Sequence, residues 1–276
     1  MTKIGLTGST GILGNSLIKL ISLNKKYQLN NYKKNIISKK NLNLWVKKNQ
    51  FDIIIHLAAL VPTKKSKKNF RLSNKVNYQG TKNLIDAITK HQKKKTYLFF
   101  SSSSHVYSFT SKVINEKFKL KGISKYGEIK VKTERYIHKN QNKIDVCIGR
   151  ISSLVSENQS KDFMLLNLIN LGKKNIKINF KNANIKRNFI HVDDVSKIIL
   201  KLINKKSTGI FNIASTQKTY LPDFFRYLNS KYKFNISYKK KKKEFLLLSN
   251  KLLLKEIGKF KFLNLNEIIK KIYKRF

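Results

Sequence analysis

Apolar runs and amphipathic stretches alternate along the first half of the chain. "KIGLTG" at residues 3–8 reads as a strand, "GILGNSLIKLISL" at 11–23 as a helix, and "FDIIIHLAA" at 51–59 as a strand. "NYQGTKNLIDAITKH" (77–91), "TYLFFSSSS" (96–104), "SKYGEIKVKTERYIHK" (124–139) and "KIDVCIGRIS" (143–152) continue as helix, strand, helix, strand. Strands that are apolar throughout, each followed by a 3.6-residue period, predict a parallel sheet covered on both faces. The fold class expected is α/β, a doubly wound parallel sheet with a smaller C-terminal lobe.

Beyond Ser153 the rhythm loosens. A helix over 162–174, a short strand pair, the helix entry "NFIHVDDVSKIILKLI", the strand "GIFNIAS", then a helix, a basic loop and two more helices follow. No internal repeat and no linker interrupts them. The division predicted is a Rossmann domain over 1–152 and a mainly substrate-binding lobe over 153–276, with about 186–215 returning to the sheet.

Sixty Lys and Arg against fourteen Asp and Glu leave a formal charge of +46 on 276 residues. Such an excess directs attention to polyanions. The lysines are nevertheless spread in pairs along the whole chain, as at Lys33–Lys34, Lys47–Lys48, Lys64–Lys65 and Lys173–Lys174. Together with abundant Asn and Ile and only two prolines, this reads as the drift of an AT-rich genome on solvated faces. The run Lys239 to Lys243 reads as a solvated loop. A single cysteine, Cys147, excludes a disulfide framework and fits a reducing compartment. No leader precedes the first strand and no apolar run approaches membrane-spanning length, so a cytoplasmic protein is expected.

Gly8, Gly11 and Gly14 stand directly after the first strand and open the first helix. In that position they suit a tight turn, close backbone approach to a pyrophosphate and helix–strand packing, with the anion at the helix N-terminus. Ser9, Thr10, Ile12 and Leu13 belong to the same cofactor loop. An acid near "YQLNNYKKN" would select NAD through its ribose, and none lies between Gly14 and Asp52. Lys33 or Lys34 would instead meet a 2′-phosphate, which leans the cofactor from NAD towards NADP.

Tyr126 and Lys130 are spaced to share one helix face. A phenol near its ordinary pKa is a poor base, so an adjacent ammonium and a positively charged nicotinamide are expected together to favour the phenolate. A hydroxyl partner is available in "FFSSSSHVY", at a strand end where doubly wound folds place their ligands. With these motifs in order, the chain resembles an extended short-chain dehydrogenase/reductase of the NAD-dependent epimerase/dehydratase group. "TGSTGILG", "FDIIIHLAA", "VNYQGTKNLIDA", "SSSSHVY", "YGEIKVKTE", "KRNFIHVDDV" and the closing "SNKLLLKEIGKFKF" segment carry the resemblance nearly end to end.

The resemblance implies Tyr126 as acid/base, Lys130 as its pKa-lowering partner and ribose ligand, and Ser103 as the third catalytic residue. Leu57, Ala58, Ala59 and Asn77 would line the dinucleotide, and Arg187 would hold a nucleotide-sugar diphosphate. Ser103, His105 and Ser153 would face the sugar. Ser104 and His105 occupy the places of the Asp-Glu pair of sugar dehydratases, which argues against 4,6-dehydration. His105 stands open between acid/base work and packing. His56 and His191 read as structural, Asp193 and Asp194 as helix caps, and no spacing suggests a metal. Ile129 and Ser108 replace smaller residues of the pattern.

The activity implied is epimerisation of a nucleotide sugar or reduction of a 4-keto sugar, in a homodimer without membrane contact. Nucleic acid is expected only as a non-specific polyanion. The alternative is a family member turned RNA-binding protein.

Overall fold

The computed structural model describes residues 1–61 and 69–275; the Lys64–Lys65 pair lies outside the described residues. Six parallel strands form one sheet: Thr2–Thr7 (β1), Tyr27–Tyr32 (β2), Ile53–His56 (β3), Thr96–Ser103 (β4), Ile144–Ile151 (β5) and Gly209–Ile213 (β10). Their order across the sheet is β2, β1, β3, β4, β5, β10. The chain turns from β2 on one side of β1 to β3 on the other. This reversal opens a crevice at the carboxyl ends of β1 and β3, where open α/β sheets bind ligands.

Helices cover both faces because the central strands are apolar on both. On one face lie α1 (Ile12–Ser22), α7 (Val192–Asn204) and α9 (Lys251–Ile257), whose Leu17, Ile21, Ile198, Leu202 and Leu253 pack on Ile4, Leu6 and Phe99. On the other lie α2 (Lys39–Asn49), α4 (Gly80–His91) and α5 (Lys125–Lys139), with Leu42, Leu84, Ile88 and Ile137 against Ile54, Leu98 and Phe100. The helix expected over 77–91 begins earlier, as α3 (Phe70–Asn74), and passes through a π turn at Lys75–Gln79 before α4.

The second lobe is built from α6 (Met164–Lys173), α8 (Leu221–Tyr232) and α10 (Leu265–Arg275). They close over a separate core containing Ile169, Phe225, Ile269 and the paired strands β7 (Ile178–Phe180) and β12 (Ile236–Tyr238). A three-stranded sheet joins β8 (Ile185–Arg187) to β11 (Thr219–Tyr220) and β13 (Glu244–Leu246). β6 (Ser153–Val155) pairs with β9 (Phe189–His191). Lys239 to Lys243 is an exposed loop whose Lys241 and Lys242 carbonyls accept from Asn184 and Asn182. Cys147 is fully buried, and burial pushes its thiol up to about 12. Among the described residues no helix is long and apolar enough to cross a membrane.

α7 departs from the expected cap. His191 is its N-cap, and its Nδ1 accepts the Asp193 N–H at 3.2 Å, while Nε2 reaches Glu157 at 2.9 Å. Asp193 instead bonds Ser16 of α1 and Lys271 of α10, and Asp194 accepts the Leu263 N–H. The two carboxylates therefore tie α7 to neighbouring elements, because an imidazole at the residue before the helix already fills the cap.

A buried polar chain ties the crevice together. Thr81 Oγ1 donates to the Asn77 carbonyl at 2.8 Å, so it must accept from His56 Nε2, also 2.8 Å away. His56 Nδ1 is then the acceptor for Thr7 Oγ1 at 2.6 Å. Hydrogen-bond accounting thus fixes a neutral imidazole protonated on Nε2. Burial first, and the Lys130 charge second, lower His56 to about 3.

An unfolded histidine takes its proton near pH 6.5, and the folded one only near 3, so its contribution is full above 6.5 and drains as pH falls. Urea unfolding should show wild type losing about 2.5 kcal/mol between pH 7.5 and 4.5 that His56→Gln does not lose. Parallel losses in both proteins would refute the neutral buried imidazole.

Candidate active site

The three loop glycines have three different reasons to be glycine. Gly8 has φ +79°, and a Cβ there would stand 2.6 Å from the Ala58 nitrogen. At Gly14 a Cβ would lie 2.2 Å from the Gly8 carbonyl oxygen. Gly11 has an ordinary φ of −74°, and its nearest neighbour would be that same oxygen at 3.4 Å. Neither conformation nor packing inside the chain requires glycine at 11, and its bare backbone leaves space open beside the loop. Gly11 is also the N-cap of α1, with no side-chain cap and no acid in the first turn. The Gly11 N–H is taken by the Gly8 carbonyl at 3.2 Å, but the first-turn N–H groups of α1 and its positive dipole end suit an anion.

Around this cradle, Ser9 and Leu13 are buried, Thr10 is exposed, and Ile12 is half-buried. Leu57, Ala58 and Ala59 follow β3 at the crevice edge, each half-buried. Asn77 is buried beneath them. Its side chain accepts the Leu60 N–H at 2.7 Å and donates to the Leu60 carbonyl at 2.9 Å, so it clamps the loop that carries Ala58 and Ala59. Lys33 and Lys34 stand exposed just beyond β2. The cradle fits a dinucleotide diphosphate.

At the end of β4 the structure brings Ser103, Tyr126 and Lys130 together. Ser124 caps α5 by accepting the Gly127 N–H at 3.2 Å, which sets Tyr126 in the first turn. Gly127 permits the close approach, since a Cβ there would stand 2.1 Å from the His105 carbonyl oxygen. This glycine was not singled out by sequence reasoning, although its place after the tyrosine is a usable signal. Tyr126 hydrogen-bonds Ser103, and Ser103 Oγ also accepts the His105 N–H at 3.2 Å. The His105 ring meets Tyr126 edge-on at 5.8 Å, with Nδ1 3.4 Å from Ser124 Oγ.

The electrostatics differ from expectation. Burial pushes the Tyr126 phenol above its ordinary value, and the Ser103 bond only partly opposes it. Lys130 is almost fully buried and donates to the Ser101 carbonyl at 2.7 Å, its Nζ 5.8 Å from the Tyr126 ring centre. The ammonium is spent on the strand, so the expected lowering of the phenol pKa is absent here. Lys130 itself falls to about 8, by burial opposed by the Glu134 charge.

Arg187 and Ser153 come from the second lobe's side. Arg187 donates to the carbonyls of Lys186 and Glu244, and its guanidinium lies 5.2 Å from the Phe109 ring centre. Burial lowers it to about 10. Ser153 is half-buried, its N–H bonded to the Asn188 carbonyl at 3.1 Å. Phe109 follows the Ser103–Tyr107 segment, so Arg187 reaches the loop that leaves the Tyr126 site.

The profile of the NAD dependent epimerase/dehydratase family matches residues 4–214. The chain belongs to that family. Among curated members it is 27% identical over 197 residues to a putative UDP-glucose 4-epimerase of Methanocaldococcus jannaschii, covering 68% of this chain and 64% of that one. The chain thus spans just under two thirds of that relative. It is 26% identical over 211 residues to a GDP-6-deoxy-D-talose 4-dehydrogenase of Aggregatibacter actinomycetemcomitans, covering 74% and 70% of the two chains. UDP-glucuronic acid 4-epimerase from Bacillus cereus, solved with UDP-glucuronic acid and NAD, superposes with a TM-score of 0.88 at 18% identity over 99% of this chain and 98% of that one. The epimerase family fold therefore extends over the whole chain. No group of three or more potential metal ligands occurs among the described residues.

The loop glycines carry opposite predictions for stability and binding. Gly8→Ala and Gly14→Ala should each cost roughly 2 kcal/mol or more in urea unfolding. Gly11→Asp should leave stability unchanged or raised by a few tenths of a kcal/mol, because aspartate is a good N-cap. The same variant should abolish dinucleotide binding, read by fluorescence titration.

Proposed function

We propose that the chain is an NAD(P)-dependent enzyme that modifies a nucleotide-activated sugar, with epimerisation at a sugar carbon as its reaction. The observation that carries this reading is the meeting of Ser103, Tyr126 and Lys130 at the end of β4, beside a glycine cradle whose middle residue, Gly11, neither backbone conformation nor packing requires. Family membership and the names of its relatives support the same substrate class. The bound dinucleotide would supply the acceptor and donor of hydride.

In this reading Tyr126 takes the proton from a sugar hydroxyl as its carbon is oxidised and returns it on reduction. Ser103 orients the same oxygen. Lys130 would hold the ribose of the dinucleotide, and its ammonium, if shared with the phenol, would offset the burial that holds the phenol protonated. Such positioned proton transfer contributes typically 10²–10⁴-fold. Arg187 would neutralise the diphosphate of the sugar nucleotide, and Ser153 and His105 would line the sugar. Leu57, Ala58 and Ala59 would lie along the dinucleotide, with Asn77 supporting them from below.

Net reduction of a 4-keto sugar is the second reading, favoured by the dehydrogenase among the relatives. Exposed Lys33 and Lys34, and the lack of an acid on β2, favour NADP over NAD. We place the protein in the cytoplasm, consistent with a single buried thiol, and expect a homodimer formed through the helices near Tyr126. The comparisons give no support to an RNA-binding role.

Titration with NADH and NADPH at moderate and high salt tests the cradle, and a panel of UDP- and GDP-sugars tests the reaction. One cofactor should bind saturably at both salt concentrations. Tyr126→Phe should lower kcat about 1000-fold with the cofactor Kd unchanged. Cofactor binding that vanishes with salt would overturn the proposal.

A further inference from the structure

Tyr126, Lys130 and Glu134 follow one another at four-residue spacing and form a single stripe along α5. The first two belong to the proposed chemistry. Glu134 lies at the inner end of the stripe, and its side chain is only 4% exposed in a chain where carboxylates are scarce. It accepts from Ser102 Oγ and receives Arg150 of β5 through Nη2 at 2.7 Å and Nε at 3.2 Å. Arg150, 3% exposed, also donates to Tyr107 Oη at 2.7 Å and to the Glu116 carbonyl at 2.9 Å. Tyr107 passes the chain to Asn212 of β10 at 2.8 Å, whose N–H is held by Glu116 Oε1.

Helix and strand therefore meet at three consecutive residues of β4. Ser101 takes Lys130 on its carbonyl, Ser102 gives its hydroxyl to Glu134, and Ser103 bonds Tyr126. We propose that Glu134, clamped by Arg150, is a positioning residue for the Tyr126–Lys130 pair. It fixes how deep α5 sits against β4 and supplies the carboxylate charge that balances the buried Lys130 ammonium. The catalytic consequence rests on the function proposed above; the geometric claim does not.

Charged and titratable groups flank Lys130 on its own helix and on the strands beneath it. Tyr126 and Glu134 lie on α5, neutral His56 on β3, the Ser101 carbonyl and the Phe100 ring on β4, and Arg150 on β5. Of these, Glu134 is the group whose charge opposes the burial of Lys130. Removing it leaves burial unopposed, so Lys130 must lose its proton at lower pH.

The test is lysine NMR of the folded full chain, with side chains labelled at Cε and the Lys130 signal assigned by its loss in Lys130→Met. Its titration midpoint, near pH 8 in wild type, should fall by about one unit in Glu134→Gln and return in Glu134→Asp. Should Glu134→Gln fail to fold, the double variant Glu134→Gln/Arg150→Lys removes the carboxylate, keeps the neighbouring positive charge on a more flexible stem, and carries the same readout. On an active sugar nucleotide, the alkaline limb of kcat should shift down with the midpoint while KM changes less than threefold. An unmoved midpoint in a folded variant would overturn the inference and leave Glu134 a packing residue. A midpoint that falls in a protein inactive on every sugar nucleotide would uphold the positioning role and sink the catalytic reading instead.

Discussion

A carboxylate and a guanidinium that water barely reaches set the height at which α5 meets the sheet. Breaking such a pair leaves an uncompensated buried charge, which costs about 3–5 kcal/mol, so the contact has little freedom to slide. From it the polar chain runs through Tyr107 to Asn212 and spans the strands β4, β5 and β10. Everything at the mouth of the site inherits that register, including the Ser124 cap and the close approach of Gly127 to His105. The hydrophobic faces of the sheet hold the layers together without fixing them lengthwise. Directional bonds do that.

The two sides of the crevice are built on different principles. The glycine-loop side is made by absences: no side chain at Gly8, Gly11 or Gly14, and no side-chain cap on α1. Beneath it the Thr7–His56–Thr81 chain supplies a neutral, fully bonded floor. The other side is made of charged groups held in low dielectric, Lys130, Glu134 and Arg150, with the Tyr126 phenol above them. A group placed between would meet backbone N–H donors on one flank and the Tyr126 phenol with the Lys130 ammonium on the other. The second lobe adds Arg187 through its contact with Phe109, so the segment leaving Ser103 touches both halves of the molecule.

Much of the sheet was legible in the chain because short apolar runs, each followed by an amphipathic helix, suit little besides strands buried on both faces. The runs at Ile53–His56, Thr96–Ser103 and Ile144–Ile151 state their role directly. The three-residue strands of the second lobe have no period to read, and their pairing depends on contacts distant in sequence. The π turn at Lys75–Gln79 involves a shift in backbone bonding that composition does not record. In the site, the Tyr126–Lys130 pair was visible from its spacing and a hydroxyl partner from its place at a strand end, while the resemblance singled out Ser103 among four serines. Glu134 was not, because a glutamate on a lysine-rich amphipathic helix reads as a solvated charge until tertiary packing buries it. The Tyr126 phenol stands above its ordinary value for a related reason: sequence places an ammonium nearby but does not say which acceptor it takes, here the Ser101 carbonyl. His191 displaced Asp193 as a cap, since cap preference is a local rule and the pull of Ser16 and Lys271 is not local.

The lysine-rich composition acquires a different meaning beside this geometry. Only fourteen acidic residues remain, and many of them stand at junctions. Asp52 holds the β1 backbone and Asp86 binds Lys82 and Tyr136 across two helices. Glu116 holds β10, Asp193 and Asp194 join α7 to its neighbours, and Glu256 accepts from Ser207. Each of these acids closes a bond within or between elements of the fold, and some of the partners are themselves surface lysines, as Lys82 is for Asp86 and Lys271 for Asp193. Replacing one of them would therefore open a seam of the architecture as well as change the net charge.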